Sequence, residues 1–434
     1  MGSVTLLSYT PLFLLLILFF LRVPIGFSLF IASMYYFTFI NYGMPVDLTL
    51  QNAVSSIQSF TILAVPFFIM IGVVMNYSGI SKRLLNFADL LVGHMTGGLG
   101  QVNVMLSTLL SGVSGSSNAD AAMSCKILVP EMEKRGYDRG FCAAVTASAS
   151  LIPSIIPPGI VLIIYCMAAR VSIGRVFLAG YIPGILLCVA MMVTVTVISK
   201  RRGYPRARET RASIKELLLG ARHAILALFM PLGFIMGIRF GLFTPTEGGA
   251  IAVLYCFIVG AFIYRELKLK DIVPIFRETF SSSAEVLFII IGANLFGFYL
   301  TWERIPDALS TIILQYTDNK IVFLLAVNIL LLVMGMFMEA APVIIILMPL
   351  LIGPLQSLDI SMVHFGIIMV LNLQIGGLTP PFGGMMFVCC QMLKLPMDKF
   401  VKANIPFLLA AIVVLFLVTY IPSLALFLPG IFMP

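Results

Sequence analysis

Charge is what this sequence has least of. Only 11% of its 434 residues are Asp, Glu, Lys or Arg, while 60% are hydrophobic. That balance excludes a soluble globular domain, which needs a charged surface to stay in water. Histidine is nearly absent too, at three residues. His94, His223 and His364 stand away from any paired Ser or Cys motif, so no acid–base set for an intramembrane enzyme is in view. The seven cysteines show no Cys-x-x-Cys spacing and no neighbouring His. They read as small buried side chains rather than as disulfides or metal ligands. No GxxxxGK[ST] run exists to hold ATP. The net charge of +8 does not point to nucleic acid, because the basic residues cluster in alternate loops.

What is present is a series of long apolar runs. Stretches such as 176–199 and 407–429 approach the ~20 residues that cross roughly 30 Å of hydrocarbon as helix. The chain reads as an all-α polytopic membrane protein. Nothing basic precedes Arg22, so residues 6–21 are expected to be a retained first helix, not a cleaved export signal.

The sequence also repeats itself. Asp120, Ala121, Ala122 and Pro130 are matched by Glu339, Ala340, Ala341 and Pro349. SIIPPG at 154–159 is answered by GLTPPFG at 377–383, and RVPIG around Pro24 is loosely echoed by FTPTEGG around Pro245. Ordered matches across both halves indicate duplication. Each unit is expected to hold five crossings and one re-entrant hairpin. In the first, residues 1–199, crossings fall near 5–21, 25–40, 60–77, 138–170 and 176–199, with a hairpin about 96–133. In the second, 223–434, they fall near 223–240, 246–264, 281–300, 361–395 and 404–428, with a hairpin about 320–354. Residues 200–222 are expected to be a cytoplasmic linker. The helices beside the first acid motif, 98–112 and 119–131, reach only about 20–25 Å, too short to span comfortably.

An odd number of crossings inverts the second unit relative to the first. With the N-terminus outside, the expected cytoplasmic segments hold 21 of the Lys and Arg residues and the outer segments five, with Lys126 inside the first hairpin. That asymmetry follows the positive-inside bias. Lys126 most simply snorkels toward the cytoplasmic surface.

The prolines explain the polar tips. Proline gives no N–H to the carbonyl four residues earlier, so Pro157 and Pro158 free the carbonyls of Pro153 and Ser154, and Pro380 and Pro381 free those of Gly376 and Gly377. An orphan carbonyl in lipid costs several kcal/mol unless something satisfies it. A desolvated alkali cation fits. Two sodium sites are therefore expected. The first combines the tip Ser114, Gly115, Ser116, Ser117 and Asn118 with the break at Pro153, Ser154 and Ile156. The second combines the tip from Gly335 to Met338 with Gly376, Gly377 and Thr379. Converging helix N-termini can hold a substrate carboxylate beside the ions. No transition metal and no cofactor other than the coupling ion is expected.

Asp120 and Glu339 fall in the first turn of the helix leaving each tip. There a carboxylate complements the dipole and caps free N–H groups; direct ion binding is the other role open to them. A charge at bilayer depth costs about 2.5–3.5 kcal/mol, so either role calls for a compensating partner. Glu247, Glu285, Asn294 and His364 are expected to make interhelix hydrogen bonds. Segments 81–91 and 305–315 alternate polar and apolar faces and read as interfacial arms bracing a moving part or as surface helices.

The run GHMTGGLGQVNV at 93–104, then SGVSGSSNADAA, SIIPPG and GLTPPFGG, resembles the large membrane subunit, the DctM-like M subunit, of tripartite ATP-independent periplasmic (TRAP) transporters. The resemblance covers essentially the full chain. It implies sodium-coupled secondary import of an organic acid across the bacterial inner membrane, the acid being a sialic acid, a C4-dicarboxylate or a sugar or keto acid. It implies two partners, a small four-helix membrane subunit of the Q type and a periplasmic substrate-binding protein of the P type. It also implies elevator-type architecture similar to the ion transporter superfamily, in which a transport domain carrying both hairpins slides along a scaffold. No block of four helices precedes Thr10, so the small subunit is expected to be a separate chain. The second tip, GMFMEAAP, lacks the serines of the first, so its ion would depend on backbone oxygens. The competing expectation is a divalent-anion or citrate-type sodium symporter that works without a binding protein.

Overall fold

The computed structural model describes residues 6–21, 23–41, 45–58, 60–111, 116–306, 319–380 and 383–433. Every regular element among the described residues is a helix. In hydrocarbon this is what backbone hydrogen bonding demands of an open chain, since only a helix satisfies its own N–H and C=O groups. Among the described residues six helices are long and apolar enough to cross a membrane: Ile173–Arg202, Pro245–Ile263, Leu269–Trp302, Lys320–Phe337, Ala340–Ser357 and Met397–Tyr420. Two bent pairs can each supply another span, Ala64–Tyr77 with Ile80–Val92 at 72°, and Arg139–Ile155 with Ile160–Ala169 at 44°. The chain is thus a multi-pass membrane protein.

Several elements run past their expected ends, each for a visible reason. Helix Ile214–Arg239 starts well before residue 223, because Ser213 and Glu216 cap it reciprocally: the Ser213 N–H donates to Glu216 Oε2 at 2.7 Å and the Glu216 N–H to Ser213 Oγ at 3.2 Å. Hydrogen bonds to its neighbours also hold the Glu216 carboxyl below its usual range. Helix Leu269–Trp302 is expected only over 281–300 but continues through polar residues to Lys268, whose N–H donates to Asp271 Oδ2 at 3.0 Å. At about 51 Å it projects beyond the hydrocarbon. The last expected crossing, 404–428, is instead two helices, Met397–Tyr420 and Ser423–Phe432. Pro422 forces Ile421 out of helical conformation.

Of the expected linker only 203–213 lies between helices, and it is fastened down. The N–H groups of Ala207 and Arg208 both donate to the Gly93 carbonyl, at 2.9 and 3.0 Å. The Tyr137 hydroxyl donates to the Pro205 carbonyl at 2.7 Å, and the Tyr137 ring stacks on Tyr204 at 4.6 Å.

The two hairpins pack reciprocally. Incoming helix Gly98–Leu110 lies against Arg139–Ala149, and incoming helix Lys320–Phe337 lies against Met362–Gly376. Outgoing helix Ser117–Ile127 lies against Gly384–Met392, and outgoing helix Ala340–Ser357 against Ile160–Ala169. Each hairpin thus rests on one piece of its own broken helix and one piece of the other. Outside them, Ile25–Tyr35 packs on Leu269–Trp302, and Pro245–Ile258 on Ala64–Tyr77. The larger apolar core runs through the hairpins and broken helices, while a smaller one gathers Leu15, Leu29 and Phe37 against Phe296, Tyr299 and Leu300.

The expected arm 81–91 is helix Ile80–Val92, turned away from the preceding span at Gly79. Its expected counterpart, 305–315, lies almost entirely outside the described residues.

Candidate functional site

Both expected breaks are present. Helix Ile152–Ile155 ends at Ile156, whose extended backbone leads through the cis Pro157–Pro158 peptide to the helix starting at Ile160. Helix Met362–Gly376 ends at Gly377 and the chain resumes as helix at Gly384; Pro381 lies outside the described residues.

At the first tip, Ser114 and Gly115 fall outside the described residues. Ser116 is the N-cap of the outgoing helix, its Oγ accepting from the Ala119 N–H at 3.4 Å. Ser117 reaches the first break, its Oγ lying 2.5 Å from Ser154 Oγ. Ser154 in turn accepts from Gln374 Nε2 at 2.9 Å, so a residue of the second broken helix closes the chain of hydrogen bonds. Pro153 and Ser154 are fully buried and Ile156 nearly so. Asn118 turns the other way: its Nδ2 donates to Glu339 Oε1 at 2.9 Å, joining tips 221 residues apart. Asn118 Oδ1 also stands beside the start of helix Gly384–Met392, 3.5 Å from where a Cβ on Gly384 would lie. Three helix N-termini, at Ser117, Ala340 and Gly384, therefore converge around Asn118, and their unsatisfied N–H groups favour negative charge there.

The second tip meets its break through backbone. Gly335 and Gly376 touch, and Met338 is the extended residue that ends the incoming helix. Thr379 donates its hydroxyl to the Ile375 carbonyl at 3.1 Å. The freed carbonyls are not bare. That of Gly376 accepts from the Thr379 N–H at 2.8 Å and that of Gly377 from the Met386 N–H at 3.4 Å. The break refolds as a tight turn, which supplies donors the proline argument left out; each carbonyl keeps one lone pair.

The acids take different places. Asp120 is in the first turn and fully buried, but its Oδ2 is held by the hydroxyls of Ser107 at 2.7 Å and Ser150 at 2.8 Å, not by backbone N–H groups. Glu339 is itself the N-cap residue of its helix, yet its side chain makes no capping bond. Lys126 is exposed. His364 donates its Nε2–H to the Val418 carbonyl at 2.7 Å, an interhelix hydrogen bond of the expected kind. Glu247 is spent on a capping box with Thr244 and not on a neighbouring helix.

Residues not anticipated complete the interior. Ser148 donates to Asn404 Oδ1 at 2.8 Å, and Asn404 Nδ2 reaches the Leu378 carbonyl at 3.4 Å, tying the last long helix to both broken ones. Asn372 donates to Asn328 Oδ1, and Asn328 Nδ2 to Thr419 Oγ1 at 3.2 Å. Their signal in the sequence is a polar residue alone in an apolar run, which marks a helix contact but not its partner. Among the described residues no three His, Cys, Asp or Glu side chains gather as a metal site. The donors at the tips are hydroxyl, amide and carbonyl oxygens, the set a hard alkali cation takes.

Comparison with known proteins agrees with this architecture. The family model for the tripartite ATP-independent periplasmic transporter, DctM component, matches residues 12–424. The sialic acid TRAP transporter large permease protein SiaM of Vibrio cholerae is 38% identical over 416 residues, 96% of this chain and 97% of that protein. The C4-dicarboxylate TRAP transporter large permease protein DctM of Pseudomonas aeruginosa is 36% identical over 373 residues, 86% of this chain and 87% of that protein. The 2,3-diketo-L-gulonate TRAP transporter large permease protein YiaN of Escherichia coli is 33% identical, over 87% of this chain and 89% of that protein. Among solved structures the YdaH transporter of Alcanivorax borkumensis shares the fold, with a TM-score of 0.59 at 14% identity over 96% of this chain and 99% of that one. These relatives are transport proteins, which points to a transporter and not to an enzyme. The chain belongs to the DctM component family of tripartite ATP-independent periplasmic transporters.

Proposed function

We propose that this chain is the large permease of a sodium-coupled importer of an organic acid in a bacterial inner membrane. The observation that carries the reading is the meeting of the two tips: Asn118 of the first hairpin bonds Glu339 of the second, while Ser154 of the first break bonds Gln374 of the second broken helix. Oxygen donors and helix N-termini from both halves are thereby concentrated in one place, a chemistry that suits a small cation beside a carboxylate. The acid is of a kind named among the relatives, a sialic acid, a C4-dicarboxylate or a keto sugar acid.

The reciprocal packing supports two inverted repeats, 1–199 and 223–434, with the non-helical connection between them at 203–213. The contacts of each hairpin with the two broken helices have counterparts in the other half. Elevator motion is the mechanism this reading takes: the hairpins and broken helices, interlocked with one another across the two halves, move together against the helices that flank them. A small four-helix subunit and a periplasmic binding protein complete the transporter.

The test is uptake into liposomes holding this chain, its small subunit and the binding protein, with labelled sialic acid, succinate and 2,3-diketogulonate offered in turn. One of the acids is expected to accumulate under an inward sodium gradient and not under an equal potassium gradient. Equal uptake in both gradients would overturn the sodium coupling. Equal uptake with the binding protein left out would favour a symporter that works alone.

A further inference from the structure

Below the first tip, three helices each contribute a polar pair one turn apart: Asn103 and Ser107 on the incoming helix, Asp120 and Ser124 on the outgoing helix, and Thr146 and Ser150 on the first broken helix. All six are buried, Asp120 at 1% exposure and the others at 0%. Residues one turn apart share a helix face, and the hydrogen bonds set the register between helices. Ser107 and Ser150 both donate to Asp120 Oδ2, which fixes one level. Asn103 Nδ2 donates to Thr146 Oγ1 at 2.7 Å, which fixes a second level one turn away from the tip. Ser124 lies one turn beyond Asp120 in that same direction.

Three oxygens on this seam have no hydrogen-bond partner: Asn103 Oδ1, Asp120 Oδ1 and Ser124 Oγ. The carboxylate is partnered only by two neutral hydroxyls, and no cationic side chain among the described residues pairs with it. A buried charge so placed is costly unless something of opposite sign sits against it. An unpaired amide oxygen and an unpaired hydroxyl oxygen lie on the same seam, so three acceptor oxygens stand free along one set of facing helix sides. Water satisfies acceptors but leaves the charge standing.

We propose that this seam is a further cation site, separate from the two at the tips, which takes one sodium ion on Asp120, Ser124 and Asn103. The donors are all oxygens, hard ligands that exclude soft metals. A single carboxylate matches a single positive charge, whereas a divalent ion would leave an excess in a low-dielectric interior. Occupancy clamps the incoming helix of the first hairpin, through Asn103, to the outgoing one, through Asp120 and Ser124, so the ion acts as a rivet within the hairpin. The assignment rests on the sodium-coupled reading for the identity of the ion, and on the unpaired oxygens for its place.

The experiment is equilibrium binding of radioactive sodium to the full chain purified with its small subunit. Asp120→Asn is expected to bind one ion fewer per chain than the unaltered protein. Ser124→Ala, which keeps the charge and nearly the volume, is expected to weaken one class of site by about tenfold while eluting as the same species in gel filtration. Ser154→Ala, at the tip, is expected to lose a different ion, so that combining it with Asp120→Asn removes two. If the unaltered protein binds sodium and both Asp120→Asn and Ser124→Ala match it in number and affinity, this site does not exist and the tip sites stand. If the unaltered protein binds no sodium, both readings fall.

Discussion

Gly335 and Gly376 meet backbone to backbone: a Cβ on Gly376 would stand 2.6 Å from the Gly335 Cα, and one on Gly335 would stand 2.7 Å from the Leu373 carbonyl oxygen. No side chain can retreat from such a contact, because both neighbours are main chain. Gly376→Ala and Gly335→Ala are each expected to cost about 1–3 kcal/mol by overpacking and to lower uptake in proportion. Gly430, with nothing within 4 Å of its would-be Cβ, is the control. Gly430→Ala is expected to leave both melting temperature and uptake unchanged or slightly improved. Equal behaviour of the three variants would show that the close approach is not needed.

The bond between the tips can be weighed by a double-mutant cycle. Asn118→Ala and Glu339→Gln are each expected to raise the half-saturating sodium concentration for uptake. The double variant is expected to be little worse than either alone, with a coupling of about 1.5–3 kcal/mol for a hydrogen bond to a charged group. Additive effects would mean that the two tips act independently.

At the elbow, Gly79 adopts a φ of +73°, and a Cβ there would lie 2.1 Å from Glu266 Oε2. Arg83 holds that carboxylate at 2.8 Å and lies 3.6 Å over the Tyr264 ring. Gly79→Ala is expected to cost at least the ~1–2 kcal/mol of a left-handed alanine. Adding Glu266→Ala, which removes a half-exposed ion pair worth about 0–1 kcal/mol, relieves the clash but not the backbone strain. Thermal unfolding in detergent should therefore show the double variant partly, not fully, restored.

All seven cysteines are free and buried, with Cys125 and Cys389 in sulfur contact at 3.5 Å. A membrane-permeant maleimide is expected to modify none of them in the folded protein and all seven after unfolding. Prompt labelling of Cys389 in the folded protein would reveal an opening between the first hairpin and the second broken helix.

The two helix breaks were legible in the sequence, because proline pairs and glycines impose themselves locally on whatever surrounds them. What it hid were contacts that depend on packing. Gln374 reads as one polar residue in an apolar helix, and nothing in its neighbourhood names Ser154 as its partner. Asp120 reads as a capping acid, yet the cap is made by Ser116 and the carboxylate is taken by serines 13 and 30 residues away in the chain. Helix ends were misjudged where polar residues continued a helix past the apolar stretch, as before residue 281, or where a proline broke a run that hydropathy left whole, as at Pro422.

The strap after Arg202 limits how far helix Ile214–Arg239 can part from helix Ile173–Arg202. Pro205, Ala207 and Arg208 are bonded to the base of the first hairpin and to Gly93, which leaves only residues 209–213 as free leash before the next helix begins. Fully drawn out at ~3.4 Å per residue, that leash reaches about 17 Å. Displacement of helix Ile214–Arg239 beyond that reach would first have to peel the strap from Gly93, so the connection sets a ceiling on its travel.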